Sequence, residues 1–114
     1  MDERMDISYL RLSKEDGDVE DGSIDESCSI QSQRTCIKQY LHRNGFSVDR
    51  LSEIIDDGYS GTTMNRPGMN RLIKLVESGK VRTIIVRDFS RFARSYLEAG
   101  HYLEFIFPVY NVRF

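Results

Sequence analysis

Four stretches of the chain have the hydrophobic pattern of a β-strand. Met5 to Leu12 (MDISYLRL) alternates between polar and apolar positions, and Phe46 to Ile55 predicts a second strand. Thr83 to Val86 is a short continuous apolar run, which is typical of a strand buried on both faces. Val109 to Phe114 predicts a fourth strand.

Three stretches between these strands have helical periodicity. The first ends near Asn44-Gly45, and the second begins at Pro67 and ends at Ser78-Gly79. The third runs from Tyr96 to Phe107. The residues predicted to face the core are Ile30, Ile37, Tyr40 and Leu41 in the first helix, Met69, Leu72, Ile73 and Val76 in the second, and Tyr96, Ala99, Leu103 and Ile106 in the third.

A polar segment separates the first strand from the first helix. Lys14 to Glu26 is rich in Asp, Glu, Gly and Ser and nearly lacks large apolar residues. This composition predicts a mobile loop, which we place at residues 14–28. Ser27 or Ser29 can cap the helix that follows.

The order βαβαβαβ predicts one domain of the α/β class over residues 1–114. We expect three layers, with a mostly parallel sheet of about four or five strands and helices on both faces. Polar loops follow three of the strands, starting at Ser13, Asp56 and Arg87. Because the carboxyl ends of parallel strands meet at one edge, these loops predict a single site.

The net charge and the cysteine content argue against several classes of protein function. The net charge is −2 with a sequence pI of about 5.7, which argues against a domain that coats DNA non-specifically. Cationic residues are nevertheless concentrated between Arg82 and Arg94. The two cysteines, Cys28 and Cys36, have no nearby histidine pair, so we expect reduced thiols and no four-ligand metal site. With no membrane-length apolar run and no signal peptide, we expect a cytoplasmic protein.

Candidate chemistry lies in the three loops. Arg11 and Ser13 are two residues apart on a strand, so a guanidinium and a hydroxyl point the same way. Arg66 lies in the second loop, and Arg91 and Arg94 share a face if 90–94 is a helical turn. Guanidinium groups bind phosphate oxygens and suit a phosphoryl-transfer transition state, with the serine as nucleophile.

Each of these fragments has a plainer interpretation when it is taken alone. Ser13 can end a strand, the arginines after Val86 can form a solvated face, and Asp57-Gly58 can form a turn. It is their combination at three strand ends that points to phosphate chemistry. Two other functions stay open: a phosphate- or nucleotide-binding regulatory module with no covalent step, and a protein–protein interaction module.

Four motifs in the same order resemble the resolvase/invertase family of serine recombinases. The motifs are Tyr9-Leu10-Arg11-Leu12-Ser13, Ser29-Ile30-Gln31-Ser32-Gln33, Asp57 to Thr62 with Asn65-Arg66-Pro67-Gly68, and Val86 to Arg94. The segment before Ser29 and the Asp57-Gly58-Tyr59 string resemble the large serine recombinases and transposases of mobile elements.

This resemblance implies a resolvase-like fold and a site-specific DNA recombinase. Ser13 would attack a DNA phosphodiester and form a 5′-phosphoserine, followed by strand exchange and religation without ATP or metal. The arginines Arg11, Arg66, Arg91 and Arg94 would bind the scissile phosphate, and Gln33 and Asp57 would complete the site. DNA and further copies of the protein, as dimers and tetramers, would be the partners, with no membrane and no small-molecule cofactor.

The chain departs from the family pattern at one position. Ser90 stands where small resolvases carry an acidic residue, so the acid/base role is vacant or passes to Asp88 or Asp57. The chain also contains neither the long coupling helix nor the DNA-binding region that the family carries downstream. We therefore expect a truncated catalytic domain that is incompetent on its own.

Overall fold

The computed structural model describes residues 3–12, 26–49, 51–60 and 63–114. Within them, three parallel strands form a sheet in the order β2–β1–β3. The strands are β1 (Met5–Leu12), β2 (Leu51–Asp57) and β3 (Val81–Ile85). The helices are α1 (Glu26–Arg43), α2 (Pro67–Glu77), the short α3 (Phe89–Phe92), and α4 (Tyr96–His101), which continues as a π-helix over Tyr102–Ile106.

The central strand β1 is buried on both faces from Ile7 onward. Ile7 and Tyr9 face a large core shared with α2 and with the segment after β3, while Leu10 and Leu12 face Ile30 of α1. Helices therefore cover both faces of the sheet, and the predicted three-layer α/β class is confirmed. The described residues include no helix that is both long and apolar enough to cross a membrane.

Two of the helix ends follow the predicted glycine signals. Gly45 has a φ of 77°, and the Phe46 N–H returns to the Leu41 carbonyl at 2.9 Å. Gly79 has a φ of 74°, and the Lys80 N–H returns to the Leu75 carbonyl at 3.0 Å. Both are left-handed C-caps that glycine adopts without strain. The predicted start of α2 at Pro67 is also confirmed.

The predicted strand number was too high. Three strands, not four or five, form the sheet of the described residues. The expected fourth strand at 109–114 makes only an isolated parallel bridge, between Thr83 and Arg113. Asn111 has a φ of 56°, so the backbone turns inside this segment instead of extending beside β3.

The boundaries around β2 and α1 also differ from the predictions. The second strand begins at Leu51, not Phe46, because the C-cap turn of α1 uses Phe46. It ends at Asp57, so Asp56 and Asp57 belong to the strand and not to the loop. Helix α1 already includes residues 26–28, which were assigned to the loop, and both Ser27 and Ser29 lie inside the helix instead of capping it. The rest of that predicted loop, 14–25, lies outside the described residues.

The predicted core positions hold for most residues and are wrong for two tyrosines. Tyr40 is 55% exposed and Tyr96 is 83% exposed. Helix α4, which corresponds to the third predicted helix, changes to π geometry at Tyr102, and the Phe107 N–H donates to the Tyr102 carbonyl. This wider turn changes the helical phase, and Phe107 becomes a core residue, only 1% exposed.

Candidate active site

Functional side chains meet where β1 and β2 end, next to the short helix α3. β1 supplies Arg11, β2 supplies Asp56, and Arg66 is the N-cap residue of α2. Arg91 comes from α3. The ends of β1 and β2 therefore meet the N-terminus of α2 and helix α3, while the first predicted loop, which begins at Ser13, lies outside the described residues.

Arg11 is fully buried, at 0% exposure, and its guanidinium is bound by main-chain carbonyls. Nε donates to the carbonyl of Arg91 at 3.1 Å, Nη1 to that of Tyr59 at 3.0 Å and Nη2 to that of Ser90 at 2.6 Å. This one side chain therefore connects the end of β1 to the loop after β2 and to α3.

Arg66 is also buried, at 1% exposure. Its Nη1 donates to the Tyr9 hydroxyl at 2.9 Å and to the Arg91 carbonyl at 3.3 Å, and its Nη2 donates to the Phe92 carbonyl. The guanidinium carbon lies 5.5 Å from the centre of the Tyr9 ring, within cation–π range. Its Nε is buried without a hydrogen-bond partner among the described residues.

All but one of the main-chain carbonyls that hold the two arginines belong to α3; the exception is that of Tyr59. A helix leaves its final four carbonyls without intrahelical partners, and these carry partial negative charge. In α3 the Phe89 carbonyl accepts the Ala93 N–H, while those of Ser90, Arg91 and Phe92 accept from Arg11 and Arg66. The two guanidiniums thus cap α3, which by itself would be too short to be stable.

Gln33 of α1 is fully buried and pairs with the main chain of Arg11. Its Nε2 donates to the Arg11 carbonyl at 3.0 Å, and its Oε1 accepts the Arg11 N–H at 3.3 Å. The neighbouring Leu12 carbonyl bonds to Gly58 beyond β2, so the main chain of Arg11 faces the opposite edge, where β3 has already ended. Gln33 therefore takes the place of a strand partner.

Arg91 and Arg94 lie apart. The Arg91 guanidinium donates from Nη1 to the Arg11 carbonyl at 3.3 Å, and its Nε lies 3.7 Å from the Asp88 carboxylate. Helix α3 ends at Phe92 and Ala93 is extended, so 90–94 is not one helical turn and the condition under which Arg91 and Arg94 would share a face is not met. Arg94 is exposed.

The buried carboxylate at the end of β2 is Asp56, and the predicted Asp57 is exposed. Asp56 accepts from the Tyr9 hydroxyl at 2.6 Å and from the N–H groups of Gly68 and Met69 at 2.7 and 3.0 Å. The strand period could have found it, because Ile54 and Asp56 point to the same face. Burial, and then the hydrogen bond to Asp56, raise the pKa of the Tyr9 hydroxyl far above its ordinary range.

Asp88 and Ser90 lie beside this group. The Ser90 hydroxyl donates to the Asp88 carboxylate, and Asp88 is exposed. An exposed carboxylate therefore lies at the N-cap of α3, although Ser90 replaces the acidic residue expected from the family pattern.

The sequence of this domain also matches a known protein family. The sequence matches the family described as "Resolvase, N terminal domain" over residues 7–111. Because this match covers most of the chain, the protein belongs to that family and is a catalytic domain of a site-specific DNA recombinase. No curated protein matches the sequence significantly.

Solved structures show the same fold. The N-terminal catalytic domain of TP901-1 integrase is similar with a TM-score of 0.73 and 23% identity, over 96% of this chain and 73% of the other. The C-terminal catalytic domain of ISC1926 TnpA, an IS607-like serine recombinase, gives a TM-score of 0.68 and 24% identity, over 96% and 64%. The first open reading frame of transposon ISC1904 from Sulfolobus solfataricus P2 gives a TM-score of 0.66 and 22% identity, over 96% and 64%. The chain therefore spans less than two thirds of the length of the latter two.

Proposed function

We propose that this domain cleaves and rejoins DNA through Ser13. The Ser13 hydroxyl attacks a DNA phosphodiester, forms a bond to the phosphorus and releases a 3′ hydroxyl, so that the 5′ phosphate stays on the serine. Reversal by a 3′ hydroxyl of the exchanged strand reseals the backbone. The phosphoserine retains the bond energy, and no ATP is consumed.

The position of the Arg91 guanidinium is the observation that supports this function most strongly. It donates to the carbonyl of Arg11, two residues before Ser13, so a fixed cation lies at the carboxyl end of the central strand. Guanidinium groups stabilise the charge that spreads over phosphoryl oxygens in the transition state. Arg11 and Arg66 are satisfied by main-chain carbonyls inside the fold, and a bound phosphate would in addition offset the repulsion among the three guanidiniums at this strand end.

We assign different roles to the predicted site residues. Arg91 and Arg94 would contact the scissile phosphate, and Arg11 and Arg66 would complete the cationic site from below. Gln33 would fix the end of β1, which leads directly into Ser13. Asp88 is the better candidate for proton transfer, because it already accepts the Ser90 hydroxyl, whereas Asp57 would lie at the edge of the site.

The partners and setting of the whole protein follow from this assignment as proposals. We propose a dimer and then a tetramer on DNA, with the coupling helix and DNA-binding region outside residues 1–114. Residues 1–114 by themselves would then not cut DNA. Cys36 is a free, exposed thiol, which suits the reducing cytoplasm that we propose as its location.

Trapping the covalent intermediate tests the proposed function. The full-length protein is incubated with a nicked DNA substrate from which the cleaved strand diffuses away, and the adduct is digested and analysed by mass spectrometry. We expect the phosphate on the peptide that contains Ser13. The Ser13→Ala variant should form no adduct, with at least a thousandfold loss of rate, because the nucleophile is gone.

Ser90→Ala is the matched control, since it removes a second serine hydroxyl beside the same site and should leave adduct formation measurable. A phosphate on another serine, or an undiminished adduct in Ser13→Ala, would refute the assignment. The absence of any adduct in the wild type would instead favour a phosphate-binding module with no covalent step.

A further inference from the structure

Three buried groups form a chain of hydrogen bonds beneath α3. The Asp56 carboxylate accepts from the Tyr9 hydroxyl, which accepts from Nη1 of Arg66, and Nη2 of Arg66 donates to the Phe92 carbonyl. All three side chains are at most 1% exposed. The chain thus runs from β2 through β1 to the last carbonyl of α3.

The hydrogen bonds in this chain can point only one way. A guanidinium can only donate and a tyrosine hydroxyl has a single hydrogen, so Tyr9 accepts from Arg66 and its own hydrogen points to Asp56. The oxygen lone pairs of Tyr9 are then left for Arg66. Because burial and the bond to Asp56 raise the pKa of the Tyr9 hydroxyl, it stays protonated and keeps this direction across the physiological pH range.

Asp56 is held in place from its other side. It accepts the N–H groups of Gly68 and Met69 in the first turn of α2, whose N-cap residue Arg66 makes no side-chain capping bond. A Cβ at Gly68 would lie 2.8 Å from Oδ2 of Asp56, so this close approach needs a glycine. The carboxylate is therefore a rigid anchor for Tyr9.

We propose that Tyr9 and Asp56 are positioning residues of the cleavage reaction: they hold the Arg66 guanidinium against the end of α3 and so set where Arg91 meets the phosphate next to Ser13. This inference rests on the proposed function. Neither residue would touch DNA, since both are buried beneath the site. They act through Arg66, whose Nη1 also donates to the main-chain carbonyl of Arg91 itself.

Tyr9→Phe isolates this effect. It removes only the hydroxyl, and it keeps the ring that lies against Arg66 and the bonds from Asp56 to α2. Under single-turnover conditions with saturating protein, we expect the adduct rate constant to fall about ten- to a hundredfold, which matches the loss of one hydrogen bond to a charged group. The Kd for DNA should stay within about twofold, because Tyr9 has no surface to offer DNA.

Ser8→Ala is the matched control. Ser8 is also buried on β1, but it points to the opposite face, where its hydroxyl lies 3.5 Å from the Ser52 carbonyl. If a hydroxyl is needed only for folding, its removal should lower the fraction of active protein and leave the rate constant of that fraction unchanged. We therefore expect Ser8→Ala to retain the wild-type rate constant for the active fraction.

A second measurement does not depend on activity. In ¹⁵N NMR spectra of residues 1–114, Tyr9→Phe should shift the amide signals of Arg91, Phe92 and Ala93, whereas Ser8→Ala should leave them in place. An unchanged rate constant or unmoved α3 signals in Tyr9→Phe would overturn the positioning role. If Ser13→Ala still forms the adduct, the proposed function fails instead, and the NMR result remains a separate test of the contact between Arg66 and α3.

Discussion

Two arginines at the site, Arg11 of β1 and Arg66 at the N-cap of α2, are both charged and buried. Arg11 and Arg66 are large, ionised and at most 1% exposed, and burying such a group is favourable only when its donors are satisfied. Main-chain carbonyls of α3 and of Tyr59 supply most of the acceptors. The arginines therefore belong to the core of the domain as much as to its site.

Tyr9 gives a test at this scale through alkaline unfolding. In the unfolded chain its hydroxyl ionises near its ordinary pKa of 10.0, whereas the folded state raises that pKa and keeps the proton. The contribution of the Tyr9 hydroxyl to the free energy of unfolding is therefore fully present below pH 10, and it decreases as the pH rises above 10. The free energy of unfolding should fall by at most about 1.4 kcal/mol per pH unit from this group.

Urea titrations between pH 8 and 11.5 would measure this slope, and Tyr9→Phe should remove it. Tyr40→Phe is the control, because Tyr40 is 55% exposed and its loss should leave the alkaline slope as in the wild type. Equal slopes in the wild type and Tyr9→Phe would contradict the buried, protonated hydroxyl.

At several helix and strand ends, the free backbone N–H and carbonyl groups form hydrogen bonds to side chains from other elements. The first turn of α2 is capped by Asp56 of β2, and the last turn of α3 is capped by arginines of β1 and α2. Gln33 of α1 serves the open edge of β1 in the same way. Each of these caps joins elements that are distant in the sequence, so the site and the fold are stabilised by the same contacts.

Two Gly→Ala substitutions separate the effect of the close approach of Gly68 to Asp56 from the general effect of replacing glycine in a helix. Gly68→Ala should destabilise the domain by about 1–3 kcal/mol, because its Cβ would meet the anchored Asp56 carboxylate at 2.8–2.9 Å. Gly100→Ala in α4 has open space around the new Cβ and should stabilise by about 0.5–1 kcal/mol. Chemical denaturation of both variants is sufficient, and a stabilising Gly68→Ala would show that Asp56 moves freely.

At the scale of the whole molecule, the two ends of the described chain are joined at the edge of the sheet. Arg4 donates from Nη1 to the carbonyls of Val81, Tyr110 and Asn111 at 3.1 to 3.4 Å. Next to these bonds, Arg113 accepts the Ile84 N–H at 2.8 Å and donates to the Arg82 carbonyl at 2.9 Å. The Arg4 side chain and the main chain of Arg113 thus both hold the last segment at the edge of the sheet.

Arg4→Met should loosen that segment without unfolding the sheet. It keeps an apolar stem and loses the charged donor, so the pairing of Arg113 with β3 should open about ten times more often. Hydrogen exchange of the Ile84 and Arg113 amides would report this, with the amides of Ile7 to Leu12 as an internal reference. Arg71→Met, on the exposed side of α2, should leave the exchange rates unaltered, and identical exchange in Arg4→Met would disprove this role.

The sequence by itself determined the α/β class, the order of the elements up to β3 and the glycine-terminated helices. These features depend on local period and turn chemistry, which a short window of residues carries. Only the tertiary structure decided that Asp56 and not Asp57 is buried, that α3 ends before Arg94, and that the last segment does not form a full strand. The strand period placed Asp56 on the face of Ile54, but its burial and the other two outcomes depend on contacts between distant segments, such as those of Arg11 and Arg66 with the carbonyls of α3.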